Sequence, residues 1–513
     1  MRIICFIFFQ LCMNGLMSQT TFMTTEGSVK AYLEEGLLQA YSIPYAAPPI
    51  NDLRWKEPKQ PAQHEAVWDG KNHSDMSAQI RTKVIGGTAP FGTVVGSEDC
   101  LYLDIVTHEN RATVRPVIVW IHGGSNIAGT KSDEVYEAHS LARNTDAVVV
   151  KVNYRLGIFG SFYHPELHEN DTVSASGNYT LLDLVAALKW IQANIESFGG
   201  DPTNVTLVGE SAGCINIWSL LCSPLSNGLF HKAVCLSGLP NIQSAKKAYK
   251  YDEEIIQKLF IKQGKAADKK AAGKLLKNLP SDSLASFLYG LSTSEILLAT
   301  KGFSHHFIAD GYTLKESGFS TMKKDNVVQM PIIVSMTGEE ASYFGVEKAL
   351  GLTSEELWEI INTNENIQDI EKFVSSDKYN KYRKKVTRQS CLLHKLVELY
   401  LKKYERSNSE IYRLQFEATP GKSPWKEVFM ATHASDLIYL FDKRSFNAPH
   451  FFTFLEPEDQ ALFEKQVKQY HAYLKNFIRT GKPGTVNGLE WPVWNKKDSD
   501  VIHLKTDHFQ LGE

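Results

Sequence analysis

The chain has 513 residues, 43% hydrophobic and 22% charged, an ordinary globular composition long enough to bury a large core. Its 55 Lys and Arg stand against 58 Asp and Glu, a formal charge of −3, which argues against sequence-independent phosphate binding and so against nucleic acid as a partner. The seven cysteines (5, 12, 100, 214, 222, 235 and 391) form no C-x-x-C pair, which excludes an obvious zinc site or a dense disulfide scaffold and leaves most of them to read as buried small hydrophobes.

At the N-terminus, Arg2 precedes an apolar run from Ile3 to Leu11, and Ser18 is a small residue suited to a cleavage position. This pattern predicts a removable signal peptide over residues 1–18 and a secreted or periplasmic protein. The run is shorter than the about 20 apolar residues needed to span a bilayer, and the mature chain is expected to carry no membrane span. Residues 19–513 show no internal repeat and no Pro- or Ser-rich linker, so one large domain with helical insertions is expected.

Short β-branched runs predict strands at 117–121, 147–152, 205–208, 233–236 and 331–334. Between them, Leu181, Leu184, Val185, Leu188 and Ile191 recur at helical spacing. Continuous apolar strands alternating with helices argue for an α/β fold, with a mostly parallel central sheet covered by helices on both faces. Residues 242–277 read as Lys-rich and helical. Ten lysines (246, 247, 250, 258, 262, 265, 269, 270, 274 and 277) stand there against four acids (252, 253, 254 and 268), the mark of a solvated helix face.

Two strands end in turns that carry chemistry. The strand at 117–121 runs into His122-Gly123-Gly124-Ser125, where glycines let backbone N–H groups approach a ligand closely. The strand at 205–208 runs into Gly209-Glu210-Ser211-Ala212-Gly213 and then a helix, the strand–turn–helix context a G-x-S-x-G nucleophile requires. Such a turn lifts the Ser211 hydroxyl above the sheet's carboxyl edge. It also brings the Ala212 N–H and a helix N-terminus to where an oxyanion would develop.

Together these residues resemble the type-B carboxylesterase (carboxylesterase/cholinesterase) family of α/β-hydrolases. The likeness runs through Ile43-Pro44-Tyr45-Ala46-Ala47-Pro48-Pro49, Leu53-Arg54-Trp55, Ser97-Glu98-Asp99-Cys100-Leu101-Tyr102-Leu103 and Asn153-Tyr154-Arg155-Leu156-Gly157. It continues through Phe198-Gly199-Gly200-Asp201-Pro202 to Arg479-Thr480-Gly481-Lys482-Pro483 and Trp491-Pro492, nearly the whole mature chain. The resemblance implies an α/β-hydrolase fold and a serine carboxylesterase acting on small-molecule esters through an acyl-enzyme, with no metal or organic cofactor. It implies Ser211 as nucleophile, Glu340 as the acid, with the adjacent Glu339 as a one-residue alternative, and His433 as the base. It further implies Gly124, Ser125 and Ala212 as oxyanion donors, and Ser211, Glu340 and His433 follow one another in the chain order expected of this fold.

The chain also departs from that pattern. Ser125 stands where the family has Gly, and Cys214 follows the elbow where Gly or Ala is usual. Ser77 replaces the partner of Cys100, so the family's early disulfide is expected to be absent. The segment 75–96 is short and holds no Trp, which disfavours choline esters. Arg54 and Glu98 match a family ion pair, expected to be structural. Asn72, Asn170, Asn178 and Asn204 are glycan acceptors only on a eukaryotic secretory route, and Asn178 and Asn204 are expected to be buried. The missing bridge and the free thiols lean towards a bacterial envelope. Two alternatives stay open from sequence: a non-catalytic binding or adhesion protein of the same fold, and a related acyl hydrolase (thioesterase, feruloyl-type esterase or amidase).

Overall fold

The computed structural model describes residues 19–512 apart from 86, 169–170, 302, 319, 321–326, 405–408 and 447–450. The expected leader, 1–18, and Asn170 lie outside the described residues.

A thirteen-stranded sheet organises the chain. In chain order its main strands are β1 (Gln19–Thr24), β2 (Gly27–Glu34), β3 (Leu37–Pro44), β4 (Tyr102–His108), β5 (Arg115–Ile121) and β6 (Val148–Val152). They continue as β7 (Gly200–Glu210), β8 (Lys232–Leu236), β9 (Ile332–Thr337), β10 (Ile411–Phe416), β11 (Val501–Leu504) and β12 (Phe509–Leu511). The spatial order is β1-β2-β3-β4-β6-β5-β7-β8-β9-β10-β11-β12, and Trp68–Asp69 pairs with β2. From β6 to β11 every neighbour is parallel; β12 and the first four strands pair antiparallel.

Alternation along the central strands sorts the core. Val117, Val119 and Ile121 pack with Leu181, Leu184 and Leu188 of α1 (Tyr179–Asn194) and with Ile217 and Trp218 of α2 (Ala212–Leu221). The intervening Ile118 and Trp120 belong to the opposite face, with Phe463, Val467, Tyr470 and Phe477 on the long helix Gln460–Thr480. Both faces are therefore covered, which is why these strands read as unbroken apolar runs.

The Lys-rich segment opens differently from the sequence reading. Ile242–Ser244 is a short strand paired with Phe307–Ala309, and the helices begin at Ala245 as α3 (Ala245–Lys262) and α4 (Lys269–Asn278). Its strand partner lies over sixty residues away, so no local periodicity could reveal it. All ten lysines are exposed. Asp252 instead turns inward and accepts hydrogen bonds from the Tyr163 amide (2.7 Å) and the His305 ring (2.8 Å). These helices, with Ser281–Tyr289 and Thr293–Thr300, pack a third core around Trp55, Phe159 and Phe162. The buried Arg54–Glu98 pair (2.8 and 2.7 Å) ties them down: Arg54 also donates to the Leu291 carbonyl, and Thr293 donates to Glu98.

Cys100, Cys214, Cys222 and Cys235 are buried thiols, and Cys391 is an exposed one. In place of a disulfide, Ser77 donates to the Tyr154 carbonyl (2.7 Å) and bridges Ser97, while Gln79–Ile80 pairs with Val94–Val95. Burial pushes the Cys100 thiol up to about 12. Asn72 is exposed and Asn178 is buried. Asn204, expected to be buried, is half-buried because it sits on the outer end of β7, where it accepts from Lys232 (2.6 Å).

Candidate active site

The elbow forms where β7 ends at Glu210 and α2 begins at Ala212. Ser211 carries φ 54° and ψ −117°, a strained conformation for a residue with a Cβ. The two flanking glycines permit it. A Cβ on Gly209 would lie 2.6 Å from the Gly213 carbonyl carbon, and one on Gly213 would lie 2.0 Å from the Ile121 oxygen. The Ser211 amide donates to the Leu236 carbonyl on β8 (2.9 Å), which fixes the turn to the sheet edge.

Over this hydroxyl stands His433, with Nε2 2.8 Å from Ser211 Oγ and Nδ1 2.5 Å from Glu340 Oε2. Glu340 lies in the turn after β9 and is 2% exposed. Its other oxygen accepts from the Thr337 amide (2.9 Å) and from the Ser237 hydroxyl. Burial alone would raise Glu340, but the His433 charge and these donors hold it below the usual carboxylate range. Glu339 points elsewhere and accepts from the Ala431 amide (3.2 Å). Ser342 fastens the acid turn to the histidine turn through the Phe429 carbonyl (2.6 Å) and the Thr432 hydroxyl (2.8 Å).

The His122–Ser125 turn lies beside the elbow: a Cβ on Gly123 would be 3.2 Å from Ser211 Cβ. Gly124 has φ +104°, and a Cβ there would strike the Ala128 oxygen at 2.0 Å. Ser125 holds φ 58° and is exposed. Asn126 and Asn216 exchange amide hydrogen bonds (2.8 and 3.1 Å), which locks this turn to α2. Among the described residues, the N–H groups of Gly124, Ser125 and Ala212 donate to no protein acceptor. Burial pushes His122 down to about 4, so it is neutral, and it stacks on Tyr154 at 4.4 Å.

Three groups beside these side chains were given no role from the sequence, although Glu210 and Asp436 lie within the motifs that pointed to Ser211 and His433. Glu210, 3% exposed, places Oε1 3.2 Å from His433 Nε2. Burial, with Asp436 and Glu340 nearby, pushes Glu210 upwards against the pull of His433. Asp436, three residues after His433, is pushed up to about 7 by burial and by Glu340. Burial would lower His433, but the neighbouring Glu210 and Glu340 carboxylates raise it. Glu210 was visible as the variable residue of the elbow, where the strand end denies it water. Ser237 carried no signal, because only the β8–β9 pairing brings it to Glu340.

Rings line one side. Phe344 and Tyr343 lie 5.2 and 5.9 Å from the His433 imidazole, and Lys83 sits over Tyr343 (4.3 Å) while pairing with Glu347. Cys214 is buried behind the elbow, and its thiol is pushed well above its ordinary value by burial and by Cys235.

The family model described as the carboxylesterase family matches residues 19–512. The chain is 27% identical to the para-nitrobenzyl esterase of Bacillus subtilis, covering 94% of each chain. It is 30% identical to the pyrethroid hydrolase Ces2e of Rattus norvegicus, over 92% of this chain and 82% of that one. It is 29% identical to the cocaine esterase of Homo sapiens, over 90% of this chain and 83% of that one. Among solved structures, a PNB esterase superposes with a TM-score of 0.73 at 24% identity, over 96% of this chain and 98% of the other, which speaks to the fold. With the α/β-hydrolase sheet and the match across nearly its whole length, this chain belongs to the carboxylesterase family and is a carboxylic-ester hydrolase.

Proposed function

We propose that the protein hydrolyses small or medium uncharged carboxylic esters through an acyl-enzyme on Ser211. His433 Nε2 takes the Ser211 proton as the oxygen attacks the acyl carbon, and returns it to the departing alcohol. Glu340 holds the imidazole with Nδ1–H towards itself and stabilises the imidazolium, and the Glu210 carboxylate adds to that stabilisation. The N–H groups of Gly124, Ser125 and Ala212 receive the tetrahedral oxyanion; losing one such donor costs about 3 kcal/mol of barrier. Water, activated by the same imidazole, then releases the acid and frees Ser211. The support is one imidazole held between the Ser211 hydroxyl and a buried carboxylate, at 2.8 and 2.5 Å. The rings of Tyr343 and Phe344 suit an uncharged body beside the acyl carbon. The relatives are named for different substrates (para-nitrobenzyl, pyrethroid and cocaine), and we assign the choice among esters to such walls rather than to the catalytic groups.

A fluorophosphonate should add covalently to Ser211, read by peptide mass spectrometry, and Ser211→Ala should lose about 10⁴-fold or more of kcat on a short-chain aryl ester. An adduct on another residue, or substantial turnover by Ser211→Ala, would put the nucleophile elsewhere. We also propose export through residues 1–18. N-terminal sequencing of the protein recovered outside the cytoplasm should begin at Gln19, and an intact Met1 there would contradict it.

A further inference from the structure

A second polar concavity lies on the far side of the acid turn. Glu339 lines it while Glu340 faces His433. The groove has a volume of about 860 Å³, between the C-terminal strands of the sheet and the long helix Asp377–Tyr404. Its floor contains Arg413 on β10 and His503 on β11. On the other face of β10, Tyr412, Leu414 and Phe416 pack into the apolar core, as a parallel strand ordinarily demands of both faces.

Arg413 is 3% exposed, with Val334 and Val501 beside it in register, and Trp494 lies 5.5 Å from its guanidinium carbon. Among the described residues no hydrogen bond or ion pair of Arg413's side chain is found, and its Nε is sealed without an acceptor, while its two terminal nitrogens are not sealed. His503 is equally buried; its Nδ1 meets Glu417 (3.1 Å), and its Nε2 has no partner. The carboxylates around the groove are mostly engaged already. Glu417 pairs with His503 and Lys505, Glu398 with Lys402 (3.4 Å) and Asp507 with His508 (2.6 Å), while Glu339 takes the Ala431 amide. Asp498, on an exposed turn, and Glu398 act on Arg413 only through space. Arg383 and Lys395, on the helix wall, have no acid partner among the described residues.

A guanidinium that is 3% exposed, with Nε sealed and no carboxylate in contact, is costly to hold charged unless an acceptor enters the groove beside it. We propose that this groove is a binding site for a small organic carboxylate, with Arg413 as its anchor, His503 Nε2 as a second contact, and Met430 and Val501 against its apolar body. The volume falls in the range of small-molecule sites, and the planar guanidinium fork matches a carboxylate with two parallel hydrogen bonds.

The test is calorimetric titration of the full chain with benzoate, in parallel with Arg413→Met, His503→Gln and Ser211→Ala. Saturable binding of one benzoate per chain is expected, weakened at least about ten-fold in Arg413→Met and unaltered in Ser211→Ala. His503→Gln, which keeps the site's volume, should weaken it as well and serves if Arg413→Met does not fold. Inorganic phosphate, which lacks an apolar body, should bind more weakly than benzoate. Absence of saturable benzoate binding overturns the proposal, as does phosphate binding at least as tightly as benzoate. Unchanged affinity in either groove variant overturns it too, as does loss of binding in Ser211→Ala alone, which would place the benzoate beside Ser211. None of these readouts depends on turnover, so the site stands or falls apart from the proposed role of Ser211.

Discussion

Glu210 occupies a place where a carboxylate is hard to keep charged. It is sealed at the end of a central strand, with one oxygen 3.2 Å from His433 Nε2 and the other against Gly123. Its carboxylate, when ionised, is one of two that raise His433 against the effect of burial. The sign of its effect on activity follows. Removing the carboxylate destabilises the imidazolium, lowers the histidine's pKa and makes the neutral imidazole, the proposed base, available at lower pH. Glu210→Gln should therefore move the acidic limb of the kcat/KM–pH profile to lower pH, measured with an uncharged aryl ester. An unmoved limb would show that Glu210 does not act on His433 electrostatically. A limb moved upwards would mean that Glu210 favours the neutral imidazole.

At the scale of elements, the segment from Ser77 to Cys100 is fastened by hydrogen bonds where the family uses a covalent bridge. The Ser77 hydroxyl interacts with the Cys100 thiol and also reaches the Tyr154 carbonyl. Inside the segment, Arg81 donates to the Gly87 carbonyl (2.9 Å) and stacks on Phe91 (5.0 Å), and Lys83 reaches across to Glu347 and Tyr343. The loop's shape is thus already set. A covalent link at its base would act mainly on the unfolded chain, with about 3 kcal/mol expected from closing a loop of this length. Ser77→Cys, oxidised, should lose Cys100 from the free-thiol count and melt higher than the wild type, with the gain abolished by reductant. A variant whose thiols stay free would show that the two side chains do not meet with bridging geometry.

For the molecule as a whole, the helices from Ala245 to Thr300 form a layer on the sheet domain, held by the third core and by one buried ion pair. Arg54 grips Glu98 at its own level and the Leu291 carbonyl above, so the pair works as a rivet between layers. Glu98→Leu strands a buried guanidinium, a change that costs about 3–5 kcal/mol. Trypsin should then cut the exposed lysines of residues 245–278 well before the central sheet, while wild-type protein resists under the same conditions. Equal resistance would mean the apolar contacts alone hold the layer. What could be read from the chain alone were the features that a few consecutive residues impose on their own backbone. Gly209-Glu210-Ser211-Ala212-Gly213 is legible because only glycine fits the 2.0–2.6 Å spaces around that turn, and the central strands are legible because both their faces are covered. The resemblance added the acid and the histidine, but it left Glu339 and Glu340 adjacent and equally carboxylate. Its register preferred Glu340, and the fold turns that carboxylate to His433 and Glu339 to the Ala431 amide. The fold alone places Ser237, the strand at Ile242–Ser244 and the uncovered Arg413. Each depends on which distant segment is laid beside it, and a contact between residues far apart in sequence leaves no periodic trace in either of them.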